Sequence, residues 1–386
     1  QGLQEQAPHH HRAGGRSQPT RGPTGEWVSV VNQTTLASVF AVNGQVWSCA
    51  DQSAARCIIA DAVSGAVLTE YAFGWDSVSG VLSAGTSGVV AVSGVTTVNS
   101  VRCNEVALCT VTANMLHCSA MSYYDVVYLA ASYVPYPKKY MYIGWYNAFP
   151  SISIVDALSG SVQSYMYSAN NMKALTLSQV QSPPYFVGSF VAGAAVRATA
   201  APVNYIVAGM VRTEAGIFGG MVLMPQVGDI VNSVDLVTCM ALENTGPDSF
   251  IAGGMQVSDT PGTTKHAYLL RINALFMNIQ YGMRYNSILS RRRALQGGSE
   301  QQSVVRGMAR VDTTLFLIVD RMANNRSALT MLKVSATDGA IVQQVHIRPT
   351  GSTDLRCTDI STAGAFLVIV CTKHGAGTNP QSVLLT

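Results

Sequence analysis

Charge is what this chain has least of. Asp, Glu, Lys and Arg make up 12% of its 386 residues, about half of the ~25% usual for soluble domains. The formal net charge of +3 is too small and too scattered for the electrostatic footprint of a nucleic-acid-binding protein. The one dense basic run, Arg291-Arg292-Arg293, reads as a solvated loop. No apolar run approaches the roughly 18–20 residues that a membrane-spanning helix needs. No Cys-x-x-Cys occurs, which argues against zinc and redox motifs. G-x-S-x-G, H-E-x-x-H and an EF-hand-like acidic loop are missing too. Outside the N-terminal tail the histidines are His117, His266, His346 and His374, far apart in sequence. The expectation is a protein with no catalytic residues, no cofactor and no metal.

A weak unit recurs along almost the whole chain. Each copy has a short apolar strand ending near Gly or Ala, a polar hairpin, and a second strand running into a Gly turn. The clearest second halves are Cys57-Ile58-Ile59-Ala60-Asp61-Ala62-Val63-Ser64-Gly65, Ile152 to Gly160 (ISIVDALSG) and Leu332 to Gly339 (LKVSATDG). First halves include Val89 to Gly94, Val126 to Ala131, Ile206 to Gly209, Phe250 to Gly253, Phe316 to Val319 and Phe366 to Val370. In the repeated turn, Asp61, Asp156 and Asp338 are expected to bond their own backbone. A four-stranded unit recurring every ~40–50 residues is the pattern of β-propeller blades.

Seven second-half strands are expected, around Cys57–Asp61, Val106–Val111, Ile152–Asp156, Phe218–Met224, Ala267–Ile272, Ser327–Val334 and Ser382–Thr386. Two intervals are long. Residues 182–203 and 287–302, rich in Gly, Ser, Ala or Gln, read as loop insertions. The chain stops at Ser382–Thr386, where a Gly turn and outer strand should follow. Gly25-Glu26-Trp27-Val28-Ser29-Val30-Val31 aligns with Gly339-Ala340-Ile341-Val342-Gln343-Gln344-Val345, so the N-terminal strand is expected to complete the last blade. The fold class is therefore all-β: a single closed propeller, most simply seven-bladed, over residues 25–386. Over residues 27–386 the pattern resembles secreted bacterial and algal-type propeller repeats built as strand-Gly-hairpin-strand-Asp-x-x-Gly. That resemblance implies the fold and transfers no catalytic residue.

Eight cysteines, an even number, sit in or beside the expected strands. Hairpin proximity suggests Cys49–Cys57, Cys109–Cys118 and Cys357–Cys371 as disulfides, leaving Cys103 and Cys239; buried free thiols are the alternative. Two sequons, Asn32-Gln33-Thr34 and Asn325-Arg326-Ser327, mark Asn32 and Asn325 for N-glycan in a eukaryotic secretory route. The chain begins at Gln1 and reads as a mature, processed form of a secreted protein. A low-charge surface is poorly protected against association, which fits a sugar coat or burial against other subunits.

Two regions stand apart from the blades. Residues 122–149 hold eight of the 16 tyrosines together with Trp145 and Phe149. Aromatics packing across a hairpin account for such a cluster. The expected tip Tyr133-Val134-Pro135-Tyr136-Pro137 has little core to fill, and Tyr133, Tyr136 and Trp145 are candidates to stack on sugar or anchor a partner. Residues 1–24 have three prolines, four glycines, few apolar residues and no period, a composition of extended or linker chain. His9, His10 and His11 read as a solvated tail rather than a metal site. Ordering such an arm costs roughly 1–2 kcal/mol per residue, so a partner must hold it. A groove on a second copy is the expected holder, with Gln1, Leu3, Pro8, Pro19 and Pro23 in contact. The leading expectation is a structural protomer of an extracellular glycosylated filament, assembled head to tail through this arm. A secreted carbohydrate-binding or adhesion propeller is the second reading, and a propeller glycosidase or lyase the third.

Overall fold

The computed structural model describes the backbone of residues 20–21, 27–32, 36–50, 55–83, 89–112, 115–124, 126–134, 139–146, 149–156, 162–166, 172–182, 186–196, 204–212, 218–223, 237–245, 248–256, 265–273, 278–285, 302–323, 326–347, 354–363, 366–374 and 381–385, and side chains in parts of 39–109 and 248–372. Every regular element among these residues is a β-strand, and the strands form seven sheets. The chain divides into two compact units, Gln1–Tyr167 with Thr358–Thr386, and Ser168–Cys357.

In the first unit, Leu36–Val42, Gln45–Ala50, Arg56–Asp61 and Val67–Ala72 form one sheet in chain order. Ser77–Ser83, Val89–Val98, Val101–Thr112 and Met115–Tyr124 form the next, and Val126–Val134, Lys139–Tyr146, Phe149–Asp156 and Val162–Met166 a third. The turns are chosen by residues that tolerate the left-handed region. Asn43-Gly44 and Asn99-Ser100 both have positive φ at two successive residues, the geometry of tight two-residue hairpins whose twist matches the strands.

Burial explains why the middle strands lack a polar face. Val46, Ile58 and Ala60 pack with Val368 and Val370, from the strand Phe366–His374. Their chain neighbours Trp47, Cys49, Cys57 and Ile59 pack with Val78, Val90, Val92, Ala107 and Cys109 of the second sheet. Alternate side chains point to opposite faces of a strand, and here both faces are covered, so apolar residues run continuously. In the second unit, Met172–Ser182, Phe186–Val196, Asn204–Arg212 and Phe218–Leu223 form one sheet. Val237–Thr245, Asp248–Gln256, Lys265–Asn273 and Asn278–Tyr285 form a second; Gln302–Val311, Thr314–Ala323, Arg326–Ser335 and Ile341–Ile347 a third. Phe250, Ala252 and Leu269 bury against Val305, Leu315, Leu317, Val319, Leu332 and Val334. Each fully buried aliphatic side chain contributes about 1.5–3 kcal/mol.

Bulges repeat more faithfully than residues do. The opening strand of each of these six sheets carries one extra residue: Ala37, Ser79, Leu129, Lys173, Met240 and Arg306. A second bulge recurs opposite the outer strand, leaving Leu68, Gln280 and Val342 as the extra residues. A bulge bends its strand and raises local twist, so the same device shapes each sheet at the same place under different sequences.

Three placements differ from the sequence pattern. Val126–Val134 opens its sheet instead of sitting second. The third strand of the fourth sheet is Asn204–Arg212, and Phe218–Leu223 is its outer strand. Residues 182–203 are not a loop insertion, because Phe186–Val196 is a central strand paired on both sides. Its Gly, Ser and Ala content lowers intrinsic strand preference, but ladder pairing on two sides overrides a scale that depends mainly on context. The other expected insertion, 287–302, lies outside the described residues except for Gln302, which starts a strand.

Candidate functional site

The N-terminal strand lies where the alignment puts it. Trp27–Asn32 pairs antiparallel with Gln381–Leu385 in the register Val28 to Leu385 and Asn32 to Gln381. The sheet continues inward through Phe366–His374 to Asp354–Ala363. It also gains a fifth strand: Thr20–Arg21 pairs outside Trp27–Asn32, with Thr20 opposite Val28 and Arg21 opposite Trp27. The arm expected over residues 1–24 thus includes a short strand at Thr20–Arg21. Backbone N–H and C=O groups at a sheet edge attract another strand, and the chain supplies its own. Gln1, Leu3, Pro8, Pro19 and Pro23 lie outside the described residues.

The innermost strand of this last sheet carries a carboxylate that the sequence reading passed over. Asp359 Oδ2 accepts a hydrogen bond from Val39 N at 3.0 Å, and Ser361 Oγ accepts one from Ala41 N at 3.2 Å. Two side chains thus hold the backbone of the adjoining first strand. Burial raises the Asp359 carboxyl to about 6, against the opposing pull of the Val39 and Ile360 N–H groups. Leu355 and Cys357 precede it at two-residue spacing and are both buried, so Asp359 occupies a position where alternation calls for an apolar residue. That misfit was the available signal.

In the second unit the corresponding task falls to neutral and cationic groups. Ala267 N donates to Ser303 Oγ at 3.1 Å. The turn after Arg326–Ser335 is clasped from the preceding sheet: Arg271 donates to Thr337 O at 3.0 Å, Tyr281 to Ala336 O at 3.1 Å and Tyr285 to Gly339 O at 3.0 Å. Arg271 also pairs with Asp248 at 2.8 Å. Desolvation pushes the Tyr281 hydroxyl up to about 12 and Tyr285 further upward, so both remain donors at physiological pH.

The repeated turn itself is two variants of one backbone. Gly65 N donates to Asp61 O and Gly339 N to Ser335 O, at 2.8 and 2.9 Å, and the flanking Asp61–Ala66 and Ser335–Ala340 bonds match. Gly65 and Gly339 have φ of 67° and 76°. Asp61 Oδ1 accepts from Val63 N and Ser64 N, as expected. Asp338 sits three positions later in the turn than Asp61 does; Ser335 holds the Asp61 position and Asp338 accepts from Ala340 N. Asp338 is exposed, and hydrogen bonds from Ser335 and Ala340 hold its carboxyl below the usual range. Asp156 ends its strand, and its turn lies outside the described residues.

Of the remaining expectations, Cys49 is disulfide-bonded to Cys57, with Cα atoms 4.0 Å apart. Cys109, Cys357 and Cys371 are also in disulfides, and Cys118 lies directly opposite Cys109 in the ladder. Cys103 opposes Tyr124, and Cys239 lies on Val237–Thr245 opposite Gly253. Asn32 ends its strand opposite Gln381. Asn325 is outside the described residues, between Thr314–Ala323 and Arg326–Ser335. Tyr133 opposes Tyr140 and Trp145 opposes Pro150; Tyr136 lies outside the described residues. The single Trp75-Asp76 pair is structural: Trp75 donates to Glu105, stacks on Phe73 at 4.2 Å and lies over Gly94, where any Cβ would collide with its ring. Among the described residues no cluster of three His, Cys, Asp or Glu side chains is arranged to hold a metal, and no helix is long and apolar enough to cross a membrane.

No family model and no curated protein matches this chain. Solved structures do. The Myceliophteria thermophila Cps50 (Swd1) β-propeller domain superimposes with a TM-score of 0.57 at 8% identity, covering 92% of this chain and 98% of that one. The RRP9 WD40 repeats superimpose with a TM-score of 0.59 at 7% identity, covering 96% and 100%. At such identities the likeness establishes the fold alone: this is an all-β protein of the propeller type.

Proposed function

We propose that the chain is the structural protomer of an extracellular, glycosylated filament that assembles head to tail through its N-terminal arm. Its seven sheets close as the blades of one propeller, with Trp27–Asn32 serving as the outer strand of the last blade. The observation that carries the reading is the fifth strand at that blade. Thr20–Arg21, within the arm, already acts as an edge-adding segment in its own chain. A head-to-tail contact propagates into a helical polymer unless its rotation closes a ring. A surface with 12% charged residues offers little repulsion to such stacking. Disulfides across neighbouring strands suit an oxidising compartment, and sugar at Asn32 and Asn325 would cover part of the surface. The propeller serves as a bead, without catalysis.

Removing residues 1–24 from the chain tests the reading. The truncated protein is expected to keep its β-sheet circular dichroism and to sediment as a single protomer, whereas the full chain sediments as a polymer. Polymers formed equally well by both would end the arm-mediated reading.

A further inference from the structure

The last sheet and the sheet that ends in Ile341–Ile347 share a register over most of their outer strands. Val30 opposes Val383 and Val31 opposes Ser382 in the first; Gln344 opposes Leu332 and Val345 opposes Met331 in the second. This register agrees with the alignment of Gly25–Val31 on Gly339–Val345 as far as Val342, the extra residue of a bulge, beyond which Ile341, opposite Val334, takes the place of Val28, opposite Leu385. The two edges end differently. Trp27 and Val28 are covered by Arg21 and Thr20. On the other sheet Ile341–Ile347 is the last strand in the order, and among the described residues nothing pairs with its outer side. Ile341 is 45% and Val342 63% exposed, with Val345 at 36%. One molecule thus shows two similar edges, one with a covering strand and, among the described residues, one without.

We infer that the outer edge of Ile341–Ile347 receives, by β-strand addition, the Thr20–Arg21 segment of a second copy. This inference rests on the arm-mediated assembly proposed above and names the surface that accepts the arm. In strand addition, main-chain hydrogen bonds supply affinity and flanking side chains supply specificity. The segment makes this kind of pairing in its own chain, with Thr20 opposite Val28, the counterpart of Ile341. Charge agrees as well: the arm carries Arg12, Arg16 and Arg21 against Glu5, and the receiving edge follows the exposed carboxylate of Asp338, three residues before Ile341. Two other outer edges suit the segment less well. Leu68 stands at the Val342 position of the first sheet but is only 36% exposed, and on Asn278–Tyr285 that position is the polar Gln280.

The test adds a synthetic peptide of residues 13–24, with a photoreactive diazirine in place of the Gln18 side chain, to the full chain. Cross-links are then mapped by mass spectrometry. In the full chain the Trp27–Val28 edge is already occupied, so the peptide is expected to label residues 338–345. Val342→Lys sets a cation against the basic segment and should lower the yield about tenfold, equivalent to about 1.4 kcal/mol. Val342→Thr keeps a β-branched residue and should stay within about twofold of the parent. A peptide with Arg21→Glu should label about tenfold less without any change to the protein. Thermal melts of both protein variants should overlay the parent, because the side chain is solvent-facing. Labelling spread evenly over the surface, or equal yields for the parent and Val342→Lys, would overturn the inference. Labelling at 338–345 in preparations without filaments would uphold this edge and overturn the filament reading. Filaments persisting in Val342→Lys without labelling at 338–345 would overturn the edge and spare that reading.

Discussion

Where Leu36–Val42 lies beside Asp354–Ala363, a carboxylate and a hydroxyl accept backbone N–H groups across the gap. Where Lys265–Asn273 lies beside Gln302–Val311, a single hydroxyl, Ser303, does so; the outer ends are then joined by Arg271, Tyr281 and Tyr285 reaching the 336–339 turn. Both arrangements satisfy main-chain donors that packing two sheets together would otherwise strand, at a cost of about 1–3 kcal/mol for each unsatisfied group. They differ in how they respond to solution conditions. The first contains a group that titrates near pH 6. In the second, the tyrosine hydroxyls titrate far above the physiological range. Equivalent joints in a repeat fold are therefore free to differ in chemistry so long as the strands stay in register.

The largest effect should come from removing the apolar half of the second joint. Leu317 is fully buried between its own sheet and the preceding one, and Leu317→Ala is expected to cost about 2–5 kcal/mol by loss of contact and creation of a cavity. Urea denaturation measures it, and a loss below about 1 kcal/mol would mean that the sheets do not pack as described.

Next comes the pH response of the first joint. A carboxyl raised from 3.8 to about 6 in the folded chain binds its proton more tightly folded than unfolded. Its stabilising contribution is complete below about pH 4 and is lost as pH rises through about 6, by at most about 3 kcal/mol. Asp359→Asn keeps an acceptor for Val39 N and cannot ionise. Parent and variant stability, compared from pH 4 to 7, should diverge over that window, with the parent falling. Parallel curves would remove Asp359 as the titrating group.

A smaller loss, about 1–3 kcal/mol, is expected for Gly339→Ala. Its φ is +76°, and a Cβ would stand 2.5 Å from Met283 Cγ and 2.9 Å from Tyr281 Cε2. Gly44→Ala makes the control, since its φ is similar and nothing lies within 4 Å of an added Cβ; the difference between the two reads the contact alone. Smallest is Tyr281→Phe, which deletes one hydrogen bond to Ala336 O and should cost about 0.5–1.5 kcal/mol. Equal melting curves would show that the turn is held by Arg271 and Tyr285 without it.

The blade pattern was legible where a strand ends in a small-residue turn, as at Cys57–Gly65 and Leu332–Gly339, because turn chemistry is local. The pairing of Trp27–Asn32 with Gln381–Leu385 was legible for the same reason: the N-terminal strand follows the same Gly turn as Ile341–Val345. The fourth sheet misled because Phe186–Val196 owes its conformation to ladder pairing with the strands on both sides, Met172–Ser182 and Asn204–Arg212, which its own Gly, Ser and Ala content does not record. The bulges at Ala37, Ser79, Leu129, Lys173, Met240 and Arg306 share no residue type, so register alone reveals them. Asp359 was visible as a polar residue out of phase in an alternating strand, yet its role follows only from Val39, 320 residues earlier in the chain. Thr20–Arg21 was hidden by its setting, since two residues among Pro and Gly carry no strand period.

Sedimentation velocity of the full chain beside the chain lacking residues 1–24, at matched concentration and neutral pH, is the direct test of assembly through the arm. The account predicts large, concentration-dependent species for the full chain and a single folded protomer for the truncated one. A full chain that remains a single protomer across the concentration series, or a truncated chain that polymerises as the parent does, would contradict it.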